Sequence, residues 1–414
     1  MDELFPNFNR DSVQRIWKSA GEPPWMLPLR LSAFDRFIEL ELPRWKIAGE
    51  GKLEARYLPD WRYTDVSRLD FSRQSPSEFI PPKIVVAQED EGKVAALPLS
   101  QAAAEYPRLV KEHFLSLFDW AGVKFSALHA AFFNSPAFVM VEDGAQLSSP
   151  VKISFSNSGS SHISSHALVI LGENSSAAVI EERSARNSLC THACEMILAD
   201  GSSLDYSALQ LHDENSLDFF AVRSRHCPNA SLAHFSAILG SKFCKASIAP
   251  QLAGEGASAS VRSFFFTNGN QHLDLSTNAV HSSSRTCSDT MVKGVLDGSS
   301  TSVYKGAISI AANSIQCVSD LNEHVLLLSE EAHSDAIPSL DINNNDVTAG
   351  HGASVGSVDP EQLFYLMSRG LSKSQAQAAI VEGFFEPLIC GLPSEEVRAR
   401  ARIAIAQKLS GTKR

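Results

Sequence analysis

The stretch Asp200–Leu209 reads DGSSLDYSAL, and Pro228–Leu239 repeats its form as PNASLAHFSAIL: a turn of small and polar residues, then a run of alternating apolar and polar side chains. The same form recurs around it. Further turns lie at Gly172-Glu173-Asn174-Ser175-Ser176, Gly254-Glu255-Gly256-Ala257-Ser258 and Asp297-Gly298-Ser299-Ser300. Alternating runs follow them at Ala178-Val179-Ile180, Val261-Arg262-Ser263-Phe264-Phe265-Phe266 and Val303-Tyr304-Lys305-Gly306-Ala307-Ile308. The first four turns recur at intervals of about 28 residues, and the fifth comes late by about half a unit. Alternation with period two marks a strand that buries one face. Repetition at roughly 20–50 residues marks units that bury those faces against one another. From Phe138 to about Ile342 the pattern therefore predicts a mainly β protein built on a right-handed parallel β-helix, a β-solenoid. A large β-sandwich is the competing arrangement and leaves the spacing unexplained.

The flanks read differently. Residues 1–130 form a mixed, largely helical region, 131–345 the solenoid core, and 346–414 a helical end. Ser12–Ala20 is a short helix with Ser12 as N-cap and Gly21 beyond it. Leu29–Leu42 carries a helical stripe stopped by Pro43-Arg44-Trp45, and Tyr106–Phe118 is a further helix. Glu22-Pro23-Pro24-Trp25-Met26 is a stiff connector, and the aromatic run Tyr57–Asp65 is a packing knot. At the other end Asp359-Pro360-Glu361 opens a helix whose apolar side is Leu363, Phe364, Leu366 and Met367. Ser372 or Ser374 caps the next helix, with an apolar face of Ala376, Ala379, Ile380, Gly383, Phe384 and Leu388, and Glu395–Leu409 is the last.

The chain has 414 residues, 44% hydrophobic and 20% charged, with a net charge of −11. That balance describes a globular protein and argues against nucleic acid as a partner, because no basic stripe is present. No apolar run reaches membrane length, and the acidic start MDELFPNF resembles neither signal nor transit peptide, so a cytoplasmic location is expected. Seven cysteines without a Cys-x-x-Cys pair give neither a disulfide framework nor a zinc knuckle. Cys190-Thr191-His192-Ala193-Cys194 is better read as buried thiols in a strand than as a metal clip. Phosphate-loop, dinucleotide, Gly-x-Ser-x-Gly and His-Glu-x-x-His motifs are all missing. The repeat carboxylates Asp200, Asp205 and Asp297 fall at turns, which weakens a carbohydrate-active enzyme on a β-helix. His226, His234, His272, His281, His324 and His333 read as surface or edge residues. One histidine stands apart: Gly350-His351-Gly352, at the change from strands to helices, where two glycines permit positive φ and an accessible imidazole.

Around that histidine, Leu326–Glu386 (LLLSEEAHSDAIPSLDINNNDVTAGHGASVGSVDPEQLFYLMSRGLSKSQAQAAIVEGFFE) closely resembles the C-terminal core of the SufB/SufD family of iron–sulfur cluster assembly proteins. The upstream run GNQHLDLSTNAVHSSSRTCSDTMVKGVLDGSSTSVYKGAISI extends the likeness, as do GEPPWMLPLRLSAF and PDWRYTDV near the start. SufB-like chains carry two cysteines where Glu323 and Ala332 stand here, and a glutamate at Gly352, so the chain is most similar to SufD. It departs from many SufD chains in having Ala349 in place of a cysteine two residues before the histidine. The resemblance implies a non-catalytic subunit that pairs with a SufB-like paralogue and binds a SufC-like ABC ATPase through its C-terminal helices. Iron or a nascent iron–sulfur cluster is then held transiently in the complex, with His351 facing the metal and no cofactor stably bound to the lone chain. Partner contacts are expected at Phe364, Tyr365, Arg369, Gly370 and Phe384, and the chain alone could form a homodimer. The SufB-type scaffold itself is the alternative within the family.

Overall fold

The computed structural model describes residues 4–43, 61–157, 159, 161–392 and 394–411. The first elements are α1 (Arg10–Ala20), α2 (Met26–Glu39), β1 (Lys83–Val85), β2 (Val94–Pro98), α3 (Leu99–Glu105), α4 (Pro107–His113) and α5 (Lys124–Phe132). Sixteen strands follow: β3 (Ser135–Val141), β4 (Val151–Asn157), β5 (His162–Leu171), β6 (Ser176–Ala185), β7 (Leu189–Leu198), β8 (Ser203–Gln210), β9 (Leu217–His226), β10 (Ser231–Ile238), β11 (Phe243–Leu252), β12 (Ser258–Thr267), β13 (His272–His281), β14 (Cys287–Leu296), β15 (Thr301–Ile310), β16 (Cys317–Leu327), β17 (His333–Ile342) and β18 (Val347–Ser357). Helices α6 (Pro360–Ser368), α7 (Lys373–Cys390) and α8 (Glu395–Leu409) complete the order.

From β3 onward, odd strands stack in one sheet and even strands in the other, each pairing in parallel with the strand two places on. This is a two-sheeted β-solenoid of about eight turns, as the repeat predicts. Ser203, Ser231 and Ser258 share one column, so equivalent residues of successive units lie above one another. The inward side chains form one apolar core, among them Val179, Tyr206, Leu232, Val261, Val292 and Leu321.

The corners explain the late fifth turn. Each of the first four leads from an odd strand to an even one, whereas Asp297–Ser300 leads from β14 back to β15, at the opposite edge. The equivalent corner of that rung is Ser282–Thr286, whose text lacks the Gly or Asn of the others. Along this edge one residue per turn takes a left-handed conformation: Asn174, Gly201, Asn229, Gly256, Arg285 and Gln316. Their N–H groups donate in a ladder, Asn174 to Asp200 O, Gly201 to Pro228 O and onward to Gln316, which donates to Asp346 O. A Cβ on Gly201 would meet Asn174 Oδ1 at 2.5 Å, so asparagine in one turn favours glycine in the next.

The N-terminal helices cover the outer face of the odd-strand sheet. Phe5, Phe8, Phe37, Phe71 and Phe132 pack with Phe219 and Phe243 of the solenoid. The stiff connector carries more than rigidity: Glu22 and Arg30 form a buried ion pair, and Arg30 also donates to Ala131 O at 3.0 Å and Phe133 O at 2.7 Å. Asn9, and not Ser12, caps α1, because its side chain accepts from Ser12 N. The helix expected over Tyr106–Phe118 ends at His113, where the buried Glu195 carboxylate captures the N–H groups of Leu115 and Leu117, both at 2.6 Å. Trp61 is buried and stacked on Phe125, as a packing knot requires, whereas Tyr57-Leu58-Pro59-Asp60 lie outside the described residues.

Helices α7 and α8 cover the outer face of the even-strand sheet. Phe385 packs on Phe264 with ring centroids 4.9 Å apart, and Lys152 pairs with Glu396. The buried face of α7 is Ala376, Val381, Phe385, Leu388 and Ile389, so Ala379 and Gly383, expected inside, are exposed. Among the described residues no helix is long and apolar enough to cross a membrane.

Candidate functional site

The solenoid interior holds charge that the turn-located carboxylates did not foretell. Glu181 accepts from Tyr206 Oη at 2.6 Å and lies 3.1 Å from both Arg183 Nε and His192 Nε2, while Arg183 also faces Asp218. These contacts hold the carboxyls of Glu181 and Asp218 down at about 2 against their burial. Burial pushes the thiols of Cys190, Cys194 and Cys244 up, which fits inert thiols inside strands. A cavity of about 10 Å³ beside Arg183, His192 and Asp218 has room for one water and no substrate. Three histidines expected at the surface or an edge are core residues instead: His226, His234 and His281 are buried, and burial lowers each to about 4. Their hydroxyl and carbonyl partners (Ser224, Ser258, Ser236, Thr286 and Ser288) suit neutral imidazole.

The accessible chemistry lies at the far end. Strands β17 and β18 are the last of their sheets, each paired on one side only. Strand β18 runs past the boundary expected at 345 and contains His351, because the edge of β16 supplies a ladder that local sequence does not reveal. Neither Gly350 nor Gly352 uses a positive φ; both are extended. A Cβ at Gly352 would lie 2.6 Å from Asn322 Oδ1, so the small residue leaves room for the neighbouring amide.

The register settles where His351 points. On β16 the buried residues are Cys317 and, beyond it, Ser319, Leu321, Glu323 and Val325. The in-register neighbours of the last four on β18 are Ala349, His351, Ala353 and Val355. Side chains stacked in register share a face of the sheet. His351 therefore belongs to the inward column, and it is exposed because no rung follows it.

One rung deeper, Glu323 is fully buried with neither carboxylate oxygen hydrogen-bonded, and burial pushes its carboxyl up to about 8. In the sequence Glu323 stands out only by replacing a cysteine of SufB-like chains; its signal is an acidic residue on the inward side of a half-buried strand.

The other expected site residues divide. Helix α6 buries no residue: Phe364 is 73% and Tyr365 56% exposed, and the Arg369 guanidinium lies 5.2 Å from the Tyr365 ring. Gly370 follows at φ +99°, a conformation that favours glycine. Phe384 is on α7, half-buried against the solenoid, with Lys293 Nζ donating to its carbonyl and lying 4.7 Å from its ring. Among the described residues no three His, Cys, Asp or Glu side chains are placed to hold a metal. His351 and Glu323 lie on neighbouring rungs at the open end.

Residues 154–384, more than half of the chain, match the family model described as SUF system FeS cluster assembly, SufBD core domain. The chain is similar to the iron-sulfur cluster assembly protein SufD of Bacillus subtilis, 26% identical over 427 residues spanning 94% of this chain and 95% of the relative. It is as similar to SufB of the same organism, 26% identical over 418 residues, 93% and 90% of the two chains. An iron-sulfur cluster assembly SufBD family protein of Staphylococcus epidermidis is 27% identical over 415 residues, 92% and 89% of the two chains.

Proposed function

Since the chain belongs to the SUF-system iron–sulfur cluster assembly family with the SufBD core, we propose that it is the SufD-type, non-catalytic subunit of a cytoplasmic assembly complex. It pairs with a SufB-type paralogue through the open end of the solenoid, and His351 faces iron or a nascent cluster at that junction. Iron and cluster are cargo here, held with the partner and released. The observation that carries this reading is the uncovered last rung, whose free edges and exposed imidazole occur together. A long open edge is a template for another chain, and neutral imidazole is a competent iron ligand. Glu323 and Ala332 stand where SufB-like chains carry cysteines, which favours the SufD side.

Helix α6 is the proposed seat of a SufC-type ABC ATPase, with exposed Phe364, Tyr365 and Arg369 as anchors. Phe384 contributes by holding α7 to the solenoid. Purifying the tagged full chain from its native cell tests the assignment. The expected result is co-purification of an ABC ATPase and a cysteine-bearing paralogue; recovery of neither overturns it. Without the paralogue the same edge can pair with a second copy, which sedimentation of the isolated chain measures.

The near-equal identity to SufB and SufD of one organism favours a second reading, the cluster scaffold itself. Anaerobic reconstitution of the isolated chain with iron and sulfide separates the two. A stable, stoichiometric cluster supports the scaffold, and its absence the SufD-type subunit.

A further inference from the structure

We propose that Glu323 is a second donor, beside His351, for a divalent cation taken at the open end of the solenoid. The inference rests on the reading of His351 as a metal-facing residue and adds the group that completes this chain's share of the site.

The first ground is an unexplained carboxyl. Glu323 is 0% exposed, and both its oxygens lack a hydrogen-bond partner. Buried polar groups are normally satisfied, and an orphan inside a fold calls for an ion, a water or a partner. Other buried strand carboxylates have theirs: Glu181 has Arg183 and His192, Asp218 has Arg183, and Asp274 has Lys245 and Lys305. Glu323 alone among these four is left bare, and it alone lies one rung below the open end.

The second ground is register. Ala353 is the inward residue directly above Glu323, so only a methyl group stands over it in the last rung. His351 is the inward residue two positions away on the same strand, directly above Leu321. Strands about 4.8 Å apart with a rise of about 3.3 Å per residue put the two Cα atoms roughly 8 Å apart. Side chains of glutamate and histidine length, leaning toward each other, can meet one ion across that separation. A carboxylate oxygen and an imidazole nitrogen suit ferrous iron and its relatives. A partner's lysine could also answer the carboxylate, but it would leave the imidazole without a role. The remaining coordination positions stay open for whatever covers the end.

Titration of the full chain with Co²⁺, a spectroscopically visible stand-in for Fe²⁺, tests the pair. Glu323→Gln keeps size and removes the anionic donor, and Glu323→Cys replaces it with a thiolate. The wild type is expected to bind Co²⁺ weakly. Glu323→Gln and His351→Ala should each weaken that binding by about tenfold or more, since even supporting residues of metal sites cost that much. Glu323→Cys should bind with a thiolate-to-cobalt charge-transfer absorption that disappears when His351→Ala is added.

If Glu323→Gln binds as the wild type while His351→Ala does not, Glu323 is no ligand although the reading of His351 survives. If neither substitution changes binding, both readings fall together. If Glu323→Gln binds Co²⁺ normally but no longer pairs with the paralogue, Glu323 answers a partner's cation and the metal role is overturned. Melting curves check folding of each variant. Should both Glu323 variants fail to fold, the carboxyl is a structural group and the proposal is wrong.

Discussion

Near the N-terminal end of the solenoid every residue of β5 and β7 is buried, whereas no residue of β17 or β18 at the other end is. The two regions are built from the same repeat, so the difference lies in what covers them. At the first, the stack closes with short antiparallel strands, three residues in β1 and five in β2, and a helical unit packs over one face. At the other, strands of ten and eleven residues end in open ladders. Proteins blunt edges that must stay unpaired. One end of this chain is blunted and the other is not, which is the asymmetry that the proposed pairing through the open end requires.

The largest effect on the chain itself should come from unclamping the closed end. Arg30→Ala leaves Glu22 buried without its partner and the carbonyls of Ala131 and Phe133 without their donor. Breaking a buried pair in this way costs about 3–5 kcal/mol. Urea unfolding of wild type and variant measures it. A loss below about 1 kcal/mol would mean that the helical unit is not held by this pair.

Acid should act on the covered interior in the same direction. His162 is lowered to about 3, and His226, His234 and His281 to about 4, chiefly by burial. An unfolded chain protonates these imidazoles near pH 6.5, so below that pH the unfolded state binds more protons. Stability is then full above pH 6.5 and falls as pH drops toward 4. The slope is about 1.4 kcal/mol per pH unit for each such group. Melting temperatures from pH 7.5 to 4.5 should decline steadily, and a flat profile to pH 5 would show the imidazoles to be hydrated in solution.

The strands of this molecule were far more legible in its sequence than the partners of its polar side chains. Period-two alternation and small-residue turns were enough to place most rungs, because each rung repeats the same demand to bury one face. The corner at Ser282–Thr286 escaped because Arg285 adopts there a conformation usually signalled by Gly or Asn. His351 was legible as a singular residue but not as a strand residue, since its ladder comes from β16, about 30 positions earlier. Glu181, Glu195 and Asp218 were invisible as interior groups. Whether a polar residue of a strand points inward shows only when its neighbours on other strands are known, and Arg183 of β6 pairs with Asp218 of β9. Helix α6 fell between: its apolar residues read as a packing side, but Leu363 and Leu366 are only half-buried and Phe364 and Met367 are exposed.

That helix is best tested against its covered neighbour. Phe385→Ala, on covered α7, should cost about 3–5 kcal/mol of stability through the cavity left against Phe264. Phe364→Ala and Arg369→Ala, on uncovered α6, should change stability by less than about 0.5 kcal/mol. Each should nonetheless weaken ATPase binding by about 1–2 kcal/mol if α6 is the docking helix. Titration calorimetry with the purified ATPase reads this, and unchanged affinity in both α6 variants would move the interface elsewhere.

The smallest effect on the folded chain is expected from His351→Ala. The imidazole is exposed on the last rung, and its strand is held by the β16 ladder, which the substitution leaves intact. Melting should shift by less than the equivalent of about 0.5 kcal/mol. If His351 faces the metal, complexes made with the variant should assemble in normal subunit proportions yet carry markedly less iron. The neighbouring position 349 is alanine and offers no thiol in its place. If instead the imidazole serves only to seat the partner, assembly should fail and iron should fall in proportion to complex recovered. Subunit stoichiometry, melting temperature and iron per complex, measured side by side for variant and wild type, separate these outcomes. Normal iron in a normally assembled variant would leave the open end as an interface without a metal-facing residue on this side.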